Sequence, residues 1–82
     1  MSDGTLQADA VLDALGLLCP MPIVKAAKAM RDLEPGQVLQ LLATDRGSLV
    51  DVPAWAEDTG NELLATGEED GVFSFHVRKG EE

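Results

Sequence analysis

Tyrosine is absent from this chain, and cysteine, histidine and tryptophan occur once each among its 82 residues. One cysteine excludes an internal disulfide, and one cysteine with one histidine excludes a structural zinc site of the Cys/His type. Phenylalanine occurs twice, so the core must be built from aliphatic side chains. Lysine and arginine together number 6 against 15 aspartates and glutamates, a net charge of −9. That balance argues against a nucleic-acid surface, which needs clustered cations, and describes a solvated acidic exterior that repels anionic lipids. No apolar run is long enough to cross a membrane, and no basic segment followed by an apolar one opens the chain, so no signal peptide is expected. A lone thiol and no export signal place the expected home in the cytoplasm, in reducing surroundings.

What remains is ordinary for a folded domain: 45% hydrophobic and 26% charged residues, without repeats or low-complexity stretches. A chain this short makes one domain. Residues 1–7 read as a flexible leader, 8–79 as the domain, and 80–82 as a frayed tail.

Hydrophobic periodicity orders the elements. From Ala8 to Ala14 the side chains alternate, with Ala10, Leu12 and Ala14 on one face, as in a half-buried strand. Between Pro22 and Leu33, Ile23, Ala26, Ala27, Met30 and Leu33 fall on one helical stripe, and Pro35-Gly36 stops that helix. Gln37 to Thr44 is almost continuously apolar, as expected of a central strand buried on both faces. A second helix is expected over about Leu49–Thr59, ended by Gly60; Pro53 suits its first turn if Asp51 is the cap, so that an earlier start would be a looser turn. Glu62 to about Thr66 and Val72–Lys79 are strands joined by the hairpin signal Glu69-Asp70-Gly71. The order βαβαββ implies a two-layer α/β (α+β) sandwich: a four-stranded mixed sheet with two helices on one face.

The most informative run is Cys19-Pro20-Met21-Pro22, at the junction of the first strand and first helix. Gly16 can reverse the chain just before it. A thiol within one turn of a helix N-terminus sits at the positive end of the dipole, which favours the nucleophilic thiolate. Both prolines suit a helix start, where the first amides have no intrahelical partner; either Met21 or Cys19 serves as the cap. The prolines also remove donors that could bond the sulfur and stiffen the loop. A lone cysteine can equally be a small buried hydrophobe, so position alone leaves both readings open.

The residues Leu12-Asp13-Ala14-x-Gly16-Leu17-x-Cys19-Pro20-x-Pro22 resemble the signature of the TusA family of small sulfur-carrier proteins, also called SirA-like. The resemblance extends through Thr44-Asp45, Asp51-Val52-Pro53-Ala54-Trp55 and Thr59-Gly60-Asn61-Glu62-Leu63, about Ala8 to Val77 in all. It implies a strand order 1-2-4-3 and a role: Cys19 accepts sulfane sulfur as a persulfide from a donor such as a cysteine desulfurase and relays it to an acceptor protein. Transfer-RNA thiolation, molybdenum-cofactor assembly and sulfur oxidation are pathways relatives serve. The pyridoxal phosphate belongs to the donor, so no cofactor and no metal are expected here, and the activity is that of a sulfurtransferase-like carrier. A monomer is expected. Many relatives carry a second cysteine where this chain has Ala56, so no resolving disulfide can form within one molecule. Relatives often have a proline in the loop that here reads Arg46-Gly47.

Around Cys19, the expected positioning residues are Gly16, Pro20, Pro22 and Asp45, the last placed nearby by the shared end of parallel strands or else simply capping a turn. A carboxylate there orients a partner while opposing thiolate formation. Leu17 and Leu18 would form an apolar contact patch with Leu15, and Lys25, Lys28 and Arg31 a basic strip that steers acidic partners or is only a solvated face. His76 is expected in solvent and Trp55 at least partly buried. The alternative functions are a non-catalytic interaction or regulatory module on the same fold, and a thiol-redox protein acting through an intermolecular disulfide.

Overall fold

A computed structural model describes residues 8–18 and 20–80. The chain runs β1 (Ala10–Ala14), α1 (Met21–Arg31), β2 (Val38–Ala43), α2 (Ser48–Asp58), β3 (Glu62–Glu69) and β4 (Val72–Arg78). One sheet has the order β1-β2-β4-β3. β1 and β2 are parallel, with Ala14 opposite Ala43 at their shared end, and β4 runs antiparallel to both β2 and β3. The expected sandwich and strand order are therefore those observed.

The alternation read from sequence sets the faces. Ala14, Leu39, Leu41, Ala43, Phe73, Phe75 and Val77 are buried from the sheet side. Ala26 and Met30 of α1 and Val52 and Ala56 of α2 meet them. The expectation that β2 is buried on both faces needs correction: Val38, Gln40 and Leu42 are only half-buried. Both helices lie on one side, so among the described residues the other face of even a central strand has no helix packed over it. There Gln40 Nε2 donates to Ser74 Oγ across the β2–β4 pair at 3.0 Å. His76, opposite Gln40 in the same register, is half-buried rather than fully in solvent.

Two helix caps also differ from expectation. Pro20 caps α1, with its carbonyl accepting from Ile23 at 3.1 Å and Val24 at 3.0 Å. Met21 is thus already helical despite preceding a proline, a constraint that is met at a first turn. α2 begins at Ser48, with Gly47 and not Asp51 at its cap. Its opening turn is of the tighter 3₁₀ kind, Ser48, Leu49 and Val50 donating to the carbonyls of Asp45, Arg46 and Gly47. Pro53 consequently lies inside the helix, where an amide would have bonded the Leu49 carbonyl.

The C-terminus of α2 closes as the sequence suggests. Gly60 has φ +76°, its amide bonds the Glu57 carbonyl, and Asn61 donates to Ala56 at 2.8 Å, a Schellman motif. β3 is longer than expected and carries a bulge between Leu63 and Ala65. Asp70 and Gly71, at φ 53° and 83°, form the two-residue hairpin turn with β4. Gly80, past the other end of β4, docks against the α2–β3 turn, donating to Asn61 Oδ1 at 2.9 Å.

Candidate functional site at the β1–α1 and β2–α2 loops

Both helices follow parallel strands and run back antiparallel to them, so the N-termini of α1 and α2 share the sheet edge where β1 and β2 end. Two loops meet there: Leu15–Pro20 and Thr44–Gly47. Cys19 lies outside the described residues; its chain neighbours Leu18 and Pro20 are both exposed.

The loop before it is built from successive amides. Leu15 N–H donates to Asp13 Oδ1 at 2.9 Å, Gly16 N–H to Thr44 Oγ1 at 2.9 Å, and Leu17 N–H to the Ala14 carbonyl at 3.2 Å. Gly16 takes φ +79°, a backbone conformation that side-chain-bearing residues rarely hold, although a Cβ there would meet open space. The constraint on Gly16 is therefore backbone conformation and not crowding.

Past the cysteine, Met21 N–H donates to the Leu18 carbonyl at 2.8 Å, and Pro20 and Pro22 have no N–H to offer. The start of α1 thus spends or lacks its first amides, and what it presents is mainly the field of the helix dipole. Pro22 is buried and pins the first turn to the core, whereas Pro20 is exposed.

On the facing loop, Asp45 is half-buried and its Oδ1 accepts from Gly47 N–H at 3.3 Å. A Cβ on Gly47 would come within 3.2 Å of the same carboxylate, so a small residue suits this turn. Arg46 places its guanidinium 6.0 Å from the centre of the Phe73 ring.

The surroundings are apolar and open. Leu18 is 71% exposed, Met21 43% and Val50 72%, and Leu15 and Leu49 are exposed as well. Leu17 turns inward and packs against the core. A shallow groove of about 450 Å³ opens beside Pro20 between the helices, lined by Ile23, Ala54 and Trp55 with Asp51 and Asp58 at its rim. Lys25, Lys28 and Arg31 are all exposed on α1. At 1.5 Å per residue they trail away from the loop, Arg31 standing about 15 Å along the axis from Met21. Trp55 is half-buried between α1 and α2.

Sequence reasoning did not single out Thr44 as a loop anchor, nor Val24 and Val50 as exposed apolar residues. The signal for Val24 was its place off the buried stripe of α1. Among the described residues no cluster of three or more His, Cys, Asp or Glu could hold a metal ion, and no helix is long and apolar enough to cross a membrane.

A small two-layer sandwich that brings two loops and two helix N-termini to one sheet edge, with a single-cysteine Cys-Pro-x-Pro run between strand and helix, defines a small α/β domain of the SirA-like type. The chain belongs to the family described as Sulfurtransferase TusA, whose model matches residues 10–79. Sulfur carrier protein TusA of Allochromatium vinosum is 49% identical over 71 residues, covering 87% of this chain and 93% of its own length. The Bacillus subtilis protein YrkF is 52% identical over 77 residues, covering 94% of this chain but only 42% of YrkF, so the chain spans less than half of that longer relative. The crystal structure of a SirA-like protein from Desulfitobacterium hafniense superposes with a TM-score of 0.72 at 32% identity, covering 87% of this chain and 97% of the other.

Proposed function

We propose that this chain is a sulfur carrier that takes sulfane sulfur onto Cys19 as a persulfide and hands it to an acceptor protein. The observation that carries the reading is the family match across residues 10–79, within which Cys19-Pro20-Met21-Pro22 falls at the strand–helix junction. The open apolar rim formed by Leu18, Met21 and Val50 supports it, since a relay must admit one protein surface after another.

The chemistry is thiol exchange. The Cys19 thiolate attacks the outer sulfur of a donor persulfide, such as that on a cysteine desulfurase. A new S–S bond forms on Cys19 as the donor's S–S bond breaks, and the donor cysteine leaves as a thiolate. The acceptor thiolate repeats the step on Cys19–S–SH and releases Cys19 as a thiolate. Sulfane sulfur moves at constant oxidation level, so neither oxidant nor reductant is consumed. Pyridoxal phosphate serves the donor, and this chain carries its sulfur covalently. Dipole stabilisation at the head of α1 keeps Cys19 both a competent nucleophile and a good leaving group. The acceptor belongs to a pathway such as transfer-RNA thiolation, molybdenum-cofactor assembly or sulfur oxidation. The acidic exterior argues against this chain touching RNA itself and supports leaving that contact to the acceptor.

Intact mass after incubation with a cysteine desulfurase, pyridoxal phosphate and cysteine tests this. A gain of one sulfur atom, removed by reductant and absent in Cys19→Ser, is expected. No gain from the desulfurase, thiosulfate or polysulfide would overturn the carrier reading in favour of an interaction module.

A further inference from the structure

Of the three successive amides after β1, those of Leu15 and Leu17 close within their own loop, and that of Gly16 crosses 28 positions to Thr44 Oγ1 on the other crossover. Thr44 directly follows Ala43, the last residue of β2 in register with β1, so it stands one residue beyond the sheet. Its branched side chain has few rotamers, which fixes where the hydroxyl points. The next residue, Asp45, binds the amide of Gly47, the cap of α2. Thr44-Asp45 therefore sets the start of both the cysteine loop and the second helix. Thr44 and Gly16 are both exposed, so water can replace their bond when it is lost and the fold does not depend on it.

We propose that Thr44 is a positioning residue for sulfur transfer, acting through the Gly16 amide on the loop that leads into Cys19-Pro20-Met21-Pro22. This rests on the carrier reading. A loop already held in one arrangement loses less conformational entropy when a donor docks, and the reacting sulfurs meet in line more often. Losing the hydroxyl leaves Gly16, with its wide backbone freedom, untied from β2.

The test compares Thr44→Val, which keeps the branched shape without the hydroxyl, with Thr44→Ser, which keeps the hydroxyl. Three quantities are read: transfer from a persulfidated cysteine desulfurase, with saturating rate and half-saturation separated; exchange of the Gly16 amide by NMR; and the thermal midpoint. Thr44→Val is expected to exchange the Gly16 amide faster and to load sulfur about three- to tenfold more slowly, a modest hydrogen bond's worth. Its midpoint should stay close to that of the unmodified chain, and Thr44→Ser should restore loading. Unimpaired loading in Thr44→Val would overturn the role, as would a serine variant as slow as the valine one, which would assign the effect to shape. A loading defect that merely tracks a fallen midpoint would overturn it too. If the unmodified chain takes up no sulfur, the carrier reading fails and this role with it. If the unmodified chain loads and Thr44→Val loads equally, only the role of Thr44 fails.

Discussion

At the edge where β1 and β2 end, Leu15, Leu18, Met21, Leu49 and Val50 stand in water, and the Gly16 amide ties one loop to the other through Thr44 Oγ1. At the opposite edge, where the helices end, polar groups knit the chain together. Lys79 Nζ donates to the Leu33 carbonyl at 2.5 Å, the Lys79 backbone exchanges bonds with Gly36 and Gln37, and Asn61 links Gly80 to Thr59. Arg78 pairs with Glu62 beside them. One end keeps apolar surface that a self-contained domain has no use for, and the other satisfies its carbonyls and amides internally. Under the carrier reading the difference assigns one end to folding and the other to meeting partners, since apolar exposure gains nothing until a partner covers it.

The change with the largest expected effect erases this contrast. Phe75 is fully buried in the middle of β4, beneath both ends. Phe75→Ala should cost about 3–5 kcal/mol, a large share of what a small domain has. Denaturant unfolding should show it, and sulfur loading should fall together with the folded fraction.

Gly80→Ala sharpens the contrast at the folding end. A Cβ at residue 80 would lie 2.0 Å from the Gly60 carbonyl oxygen, which is backbone and cannot swing aside. Either Gly80 leaves its bond with Asn61 or the α2–β3 turn shifts, at an expected cost of about 1–3 kcal/mol. Asn61→Ala should act in the same direction more weakly, by about 1–2 kcal/mol, because it removes the partners of Gly80 and Thr59 where water can partly substitute. In both variants the saturating rate of sulfur loading by the folded fraction should be unchanged. A loading defect larger than the loss of fold would show that the two ends are coupled.

How much of this was legible in the chain depends on what encodes it. Faces were legible, because burial on one side imposes a period: Phe73, Phe75 and Val77 alternate, and Ala26 and Met30 recur at helical spacing. The hairpin turn was legible because Asp70 and Gly71 tolerate positive φ. The open face of β2 was not, since Leu42 and Val38 look the same in sequence whether or not a second layer covers them. The extent of α2 was legible to within a residue, but its cap was not, because Gly47 caps it without a side-chain bond. At the site, Gly16 and the two prolines announced themselves by their special backbones. Thr44 did not, because its contribution is a contact across 28 residues that neither loop shows alone.

The smallest effect on stability falls at the open end and tests its purpose. Leu18 is 71% exposed, so Leu18→Ser removes little buried area and should change unfolding free energy by less than about 0.5 kcal/mol. If the apolar rim serves docking, the same variant should raise the half-saturating concentration of a protein persulfide donor several-fold. Loading from a small polysulfide, which has no surface to cover, should proceed at the rate of the unmodified chain. The split between the two donors is what matters: equal losses with both would mean that Leu18 shapes the loop itself, and no loss with either would leave the exposed apolar rim without a part in transfer.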